Sequence, residues 1–302
     1  MSRNRSWRSR DWAPEIHRRA DPDAPEDHQI MHFDASHEFA SWARQALEDR
    51  TPEKAHYYSG SRYESLPRVV EGMRILEEGN EDGLDEAERL LDNFHENIPT
   101  VTTRRELSIV GACPDVPSFL SGVPTNMWVR TPAFVSQAPL RVWVGLTSSS
   151  GVSEDQLRQR GITLAAFALA MQEIRPVYIT PYVNLGWWTE DRSRAAYEGI
   201  HSSVISWDIQ THPLVLAELL GCLSKPEVTR YLGITACNLH NPSVNGHCNP
   251  VLGSEADMRR LLNIPENDLF LGQIHLYDPM LTNPVQWLKD KISHYTDRDN
   301  AI

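Results

Sequence analysis

Apolar residues are sparse up to about residue 30 and then fall into helical spacing. In "FDASHEFASWARQALED", Phe39, Trp42, Ala43, Ala46 and Leu47 recur at i, i+3, i+4, i+7 and i+8. That is one face of a helix, and Ser36 is placed to cap its start. "LPRVVEGMRILEEG" predicts a second helix, with Pro67 in the first turn and Gly79 at the exit. "LDEAERLLDNFHEN" predicts a third, with Leu84, Ala87, Leu90, Leu91 and Phe94 on one side and Pro99 ending it. Residues 99–139 break this rhythm. They are proline-rich and predict a strand, a short helical turn near Val116–Leu120 and an extended link.

From residue 140 the pattern alternates between short apolar runs and helical spacing. Strands are predicted at Leu140–Leu146, Val177–Leu185, about Ser203–Ile209 and Leu269–Tyr277. Helices are predicted at Glu154–Glu173, Pro213 to about Leu220, Glu227–Leu232, Glu255–Leu262 and Pro284 to about Ser293. The stretch "ITLAAFALAM" is apolar on nearly all sides, which predicts a buried crossover helix. Strands alternating with helices argue for the α/β class: a helical N-terminal region plus a mostly parallel sheet flanked by helices. The expected organisation is a flexible leader at 1–30, a helical region at 31–98, a Pro-rich link at 99–139 and an α/β domain at 140–302.

Charge adds one feature to this picture. The chain has 302 residues and a net charge of −12. Residues 1–19 hold six arginines, including Arg3, Arg5, Arg8 and Arg10, against Asp11 and Glu15. The remainder is therefore strongly acidic, which disfavours broad contact with nucleic acid or anionic membrane. Only the basic arm is suited to a phosphate backbone or an acidic partner. No stretch approaches the ~20 apolar residues of a membrane helix, and "MSRNRSWRSR" lacks the apolar core of a signal peptide. Cys113, Cys222, Cys237 and Cys248 are dispersed, with no CxxC, which fits reduced thiols and a cytoplasmic setting.

Candidate chemistry centres on the loop "TSSSGVS", between the Leu140–Leu146 strand and the buried helix. Ser153 and Gln156 have capping-box spacing. The loop sits at the carboxyl end of a central strand, where open α/β sheets place ligands. This strand, loop and helix resemble the metal-site segment of a von Willebrand factor A domain, whose motif is Asp-x-Ser-x-Ser. Ser148 and Ser150 match the serines, and Leu146 stands at the aspartate position. Magnesium requires hard anionic oxygens, and two hydroxyls do not replace a carboxylate. Three readings stay open: a loop that only caps the helix, an anion or phosphate site at Thr147, Ser148, Ser149, Ser150 and Ser153, or a metal site completed by a distant acid such as Asp208. More broadly, "YYSGSRYESLPRVVEGM", "PDVPSFLSGVPTNM" and residues 141–183 resemble a family of phage- and prophage-borne proteins sharing a D-V-x-x-F-L-x-G-x-P box. That resemblance implies an origin rather than a reaction, together with a von Willebrand A-like or Rossmann-like topology.

Other groupings are weaker. Cys237, His240, His247 and Cys248 are residue types that zinc takes, but C-x2-H-x6-H-C is an unusual spacing in a polar loop. His28, His32 and His37 lie close in sequence, and Trp187 and Trp188 end a strand. Walker, GxGxxG, HExxH and GxSxG motifs are absent. No cofactor and no metal is implied. The expected function is a non-catalytic phage- or prophage-encoded binding or scaffold protein that holds a protein partner or self-associates. The alternatives are an enzyme or regulator binding a phosphorylated small molecule or nucleotide at 147–153, and a virion structural protein whose arm contacts nucleic acid.

Overall fold

The structure is a computed structural model, which describes residues 16–19, 28–49, 66–95, 103–108, 113–125, 127–132, 139–148, 151–172, 175–188, 200–209, 214–240, 255–274 and 278–297. Its main sheet has six strands: β1 (Ile16–Arg19), β2 (His28–Phe33), β6 (Leu140–Gly145), β7 (Val177–Trp188), β8 (Ile200–Trp207) and β9 (Leu269–Leu271). They lie in the order β1-β2-β8-β7-β6-β9. A second sheet, from the Pro-rich segment, is antiparallel with order β3-β5-β4, formed by β3 (Thr103–Ser108), β4 (Cys113–Pro114) and β5 (Met127–Pro132).

The expected α/β class and the expected crossover are both present. β6 and β7 pair in parallel, with Leu140 beside Val177 and Gly145 beside Tyr182. They are joined through helix α5 (Glu154–Gln172), which is buried almost throughout from Arg160 to Met171. β9 adds to β6 in parallel, and β2 pairs with β8 in parallel. The join between these two blocks, β7 to β8, is antiparallel, as is β1 to β2. The sheet therefore has two carboxyl edges pointing in opposite directions, one on β6, β7 and β9 and the other on β2 and β8.

The helical region packs straight onto this sheet. Helix α1 (Ser36–Glu48) buries Phe39, Ala40, Trp42 and Ala43, and helix α2 (Leu66–Glu78) buries Val69, Met73, Ile75 and Leu76. These share one core with α5, with helix α6 (Leu216–Ser224) and with Val142, Val144, Ile205 and Trp207 of the sheet. Phe39 stacks on Trp207 at 4.5 Å and meets Phe33 at 5.4 Å. Helix α3 (Leu84–His95) adds Ala87 to the same core. Because strands alternate, Ile30, Trp143, Tyr182 and Val204 point to the other face. Met258 of helix α8 (Glu255–Leu262) covers them there, with Ile264 just beyond it.

Several expectations need correcting. Ile16–Arg19 and the first half of His28–Phe33 fall in the stretch assigned to a flexible leader at 1–30, and the rest of His28–Phe33 in the expected helical region, yet both segments are sheet strands. "HQIMHF" hides its alternation because both of its faces are buried or half-buried. Ser36 is not the N-cap of α1: Ala35 holds that position, and the Ser36 hydroxyl donates instead to Glu218 at 2.7 Å. Glu227–Leu232 is a π-helix running directly into helix α7 (Gly233–His240). Of the strand expected at 269–277, the described residues 269–274 form Leu269–Leu271, with Ile274 making a single bridge to Ser148. A four-residue turn of helix, α9 (Pro279–Thr282), leads into the 14-residue α10 (Pro284–Asp297). Among the described residues no helix is long and apolar enough to cross a membrane.

Candidate functional site

Each described hydroxyl of the loop after β6 has a hydrogen-bond partner. The Ser153 hydroxyl accepts from the Gln156 N–H at 3.2 Å, and the Gln156 side chain accepts from the Ser153 N–H at 2.8 Å, a complete capping box. The Thr147 hydroxyl lies 3.2 Å from both the N–H and the carbonyl oxygen of Asn184 on β7. Arg230, on the π-helix, donates through Nε to Ser148 Oγ at 3.1 Å and through a terminal nitrogen to the Val152 carbonyl. Ser149 and Ser150 lie outside the described residues. Glu154, the first residue of α5, pairs with Arg68 of α2 at 2.9 Å, and this bond holds its carboxyl below the usual carboxylate range. Arg68 also reaches Glu227 at 3.1 Å and the Tyr231 hydroxyl at 2.6 Å.

Asp208 does not complete a metal site here. Thr180 bonds Asp208, whereas Thr147 sits beside Asn184, four residues further along β7. At ~3.3 Å per residue that is about 13 Å along the strand, and two strand spacings separate the residues sideways as well. One ion does not span that gap.

Sequence patterns gave no reason to single out Arg160. It is fully buried on α5, and its guanidinium donates to the carbonyls of Gly145 at 2.7 Å and Gly272 at 3.0 Å, tying the ends of β6 and β9 together. Burial pushes its pKa down to about 10, which still leaves it cationic at neutral pH. Arg230 was equally hidden, since a lone basic residue on a predicted helix carries no signal of where it reaches.

Of the cysteine-histidine grouping, only Cys237 and His240 lie among the described residues, and each is engaged with the neighbouring strands. Cys237 is buried on α7, with its sulfur 3.5 Å from the Ser203 carbonyl oxygen and 3.7 Å from that of Val183. Burial pushes its thiol up to about 12, and zinc binds the thiolate. His240 Nδ1 is 3.0 Å from Ser203 Oγ. His247 and Cys248 lie outside the described residues, as do Arg3, Arg5, Arg8 and Arg10. Trp187 and Trp188 are the last residues of β7 and pair with His201 and Ile200.

An apolar segment that lies exposed is "DVPSFLSGV". Helix α4 (Val116–Leu120) is only five residues long, yet it is capped at both ends. Asp115 accepts from the Ser118 N–H at 3.2 Å and from the Ser118 hydroxyl at 2.5 Å. At the exit, Gly122 takes φ +69° and the Val123 N–H donates to the Ser118 carbonyl at 3.0 Å. That is a Schellman-type ending, which needs a residue free to adopt positive φ. The helix buries none of its residues: Val116 is 58%, Phe119 61%, Leu120 79% and Val123 39% exposed. Val116, Phe119 and Leu120, at i, i+3 and i+4, form one stripe on the helix, and Val123 follows just past the Gly122 turn. Sequence reading found the box but not its exposure. The available signal was an apolar stripe flanked by two cap residues on a segment too short for a core helix.

With this geometry in hand, comparison with known proteins adds a family. A family model described as a domain of unknown function (DUF7192) matches residues 21–280. The chain belongs to this family. The match runs from before β2 through the helical region, the Pro-rich segment and the sheet into α9. No curated protein matches the chain, and no solved structure matches it.

Proposed function

We infer that this protein is a non-catalytic binding protein and that the capped α4 stripe is the surface that holds its partner. The supporting observation is the pairing of two complete helix caps with four exposed apolar side chains. A five-residue helix is far below the length that is stable on its own. Here local hydrogen bonds hold it, and no burial of its own repays them. Large apolar side chains presented together at a surface mark contact sites. The occupant is a different protein with an apolar centre and a basic rim, because a net charge of −12 opposes self-association. Polar groups committed within the 147–153 loop fit this reading better than a phosphate or metal site there. The phage or prophage origin implied by the sequence resemblance is part of the same proposal.

The test places a photo-crosslinking residue at Phe119 in cells of the protein's own source and compares Leu120→Asp with the unaltered chain. Burying Leu120 is worth ~1.5–3 kcal/mol, so the aspartate variant should lose at least roughly tenfold in affinity with its thermal melt unchanged. A partner retained at full affinity by Leu120→Asp, or a homo-oligomer held by this stripe, overturns the proposal.

A further inference from the structure

The caps of α4 order a segment that the core does not hold. The helix buries none of its residues, and Leu120 at its end is 79% exposed. A Cβ added at Gly122 would meet no described atom within 4 Å, so packing does not call for glycine there. Only its φ of +69° does. Yet the segment is bonded to itself from end to end. Asp115 Oδ2 accepts from both the N–H and the hydroxyl of Ser118. The Ser121 hydroxyl and N–H both donate to the Pro117 carbonyl, at 2.8 Å and 3.1 Å. Past the helix, the Gly122 N–H donates to the Phe119 carbonyl at 3.1 Å. Pro117, in the first turn, has a backbone angle already set for a helix.

Order of this kind matters to binding more than to folding. A partner that meets an unordered segment must order it first. Its apparent affinity then falls with the fraction of molecules already in the binding shape. Five residues without caps do not hold a helix in water. With Asp115 and Gly122 in place, Val116, Phe119 and Leu120 already share one side before any partner arrives.

We propose that Asp115 and Gly122 are positioning residues for partner binding, holding the apolar stripe in the shape the partner recognises without needing to touch the partner. The inference rests on the reading of α4 as the partner surface and goes beyond it, because it assigns part of the affinity to two residues outside the stripe. It also describes the partner. Its site is a hydrophobic groove that takes a short helical ridge, rather than a sheet edge, which would need the segment extended.

A photo-crosslinking residue at Phe119 of the full chain, in cells of its own source, reads the contact as crosslinked yield at subsaturating expression. Asp115→Ala and Gly122→Ala should each lower that yield about fivefold. Asp115→Asn, whose side-chain oxygen can accept the same bonds, should keep it. Every variant should melt like the unaltered chain, and NMR shifts of residues 116–120 should move towards coil only in the two alanine variants. Leu120→Asp separates this proposal from the reading beneath it. If Leu120→Asp abolishes the yield and both alanine variants keep it, α4 is the surface, its caps are irrelevant, and this proposal falls alone. If no crosslink forms, or Leu120→Asp keeps it, the surface lies elsewhere and both fall. Asp115→Asn as weak as Asp115→Ala would make the carboxylate itself a partner contact, and a lower melt in both alanine variants would assign the caps to folding; either result overturns the proposal. Should only one alanine variant lower the melt, the other decides.

Discussion

Replacing Gly161 with alanine sets two effects against each other. Gly161 lies inside α5 where that helix crosses α6. A Cβ built there would stand 2.5 Å from Ser224 Cβ, 2.6 Å from its Cα and 2.7 Å from its N. Ordinary contact begins at 3.4 Å, so the helices would have to part by nearly an ångström. Two of the three opposing atoms are backbone and cannot rotate away. In favour of the substitution, alanine gains about 1 kcal/mol over glycine in a helix interior. Against it, overpacking costs ~1–3 kcal/mol or more. The shift is shared by Ile162, Leu164 and Phe167 of α5 and Leu219, Leu220 and Leu223 of α6, all in the same core. A radial gap of about 0.5–1 Å forfeits a quarter to a half of each affected contact. The clash therefore wins, and Gly161→Ala should destabilise the protein by about 2 kcal/mol. Urea unfolding followed by far-UV circular dichroism reads this as a lower midpoint at unchanged slope. A variant more stable than the unaltered chain by about 1 kcal/mol, the helix-propensity gain alone, would refute the close crossing.

Cys222 and Cys237 are buried, and burial pushes both thiols up to about 12. In a Cys113→Ser/Cys248→Ser variant, a disulfide-exchange reagent at pH near 8 should find no reactive thiol until denaturant is added, and prompt native labelling would contradict the burial. Arg44, Arg68 and Lys225 hold Glu77, Glu154 and Asp82 below their ordinary values. Because these folded-state values are depressed, the stability they contribute is present above the ordinary carboxylate range and lost as pH falls through the lowered values. Arg68→Met should flatten that acid-side loss by no more than ~1 kcal/mol, since the pair is largely exposed, and an unchanged stability-versus-pH curve would show that the pair contributes nothing. Arg160→Met keeps most of the volume but strips a donor from the Gly145 and Gly272 carbonyls, so equilibrium unfolding should show a loss of about 2–4 kcal/mol; a neutral result would mean water replaces the guanidinium.

Short-range signals were legible in the sequence. The all-apolar run from Ile162 to Met171 announced a buried crossover, and its helix lies within one residue of the expected limits. Ser153 and Gln156 announced their capping box, and Gly79 its helix exit at φ +80°. The start of α4 was legible for the same reason, because caps and periodicity act within a few residues and leave their residue types in place. Direction and register of distant strands leave no such mark. Nothing in β7 or β8 read alone says that they pair antiparallel, so the sheet's two opposed carboxyl edges emerge only once the strands assemble. His32 and Ser206 are 174 residues apart in sequence, and only the β2–β8 register brings the imidazole between Ser206 and Asp208. Likewise, the short helical turn at Val116–Leu120 gives no sign in the sequence of whether its apolar side chains are covered, since apolar spacing is the same whether a neighbour covers it or not. Burial depends on which surfaces meet, and that is decided by the packing of the whole chain rather than by any segment of it.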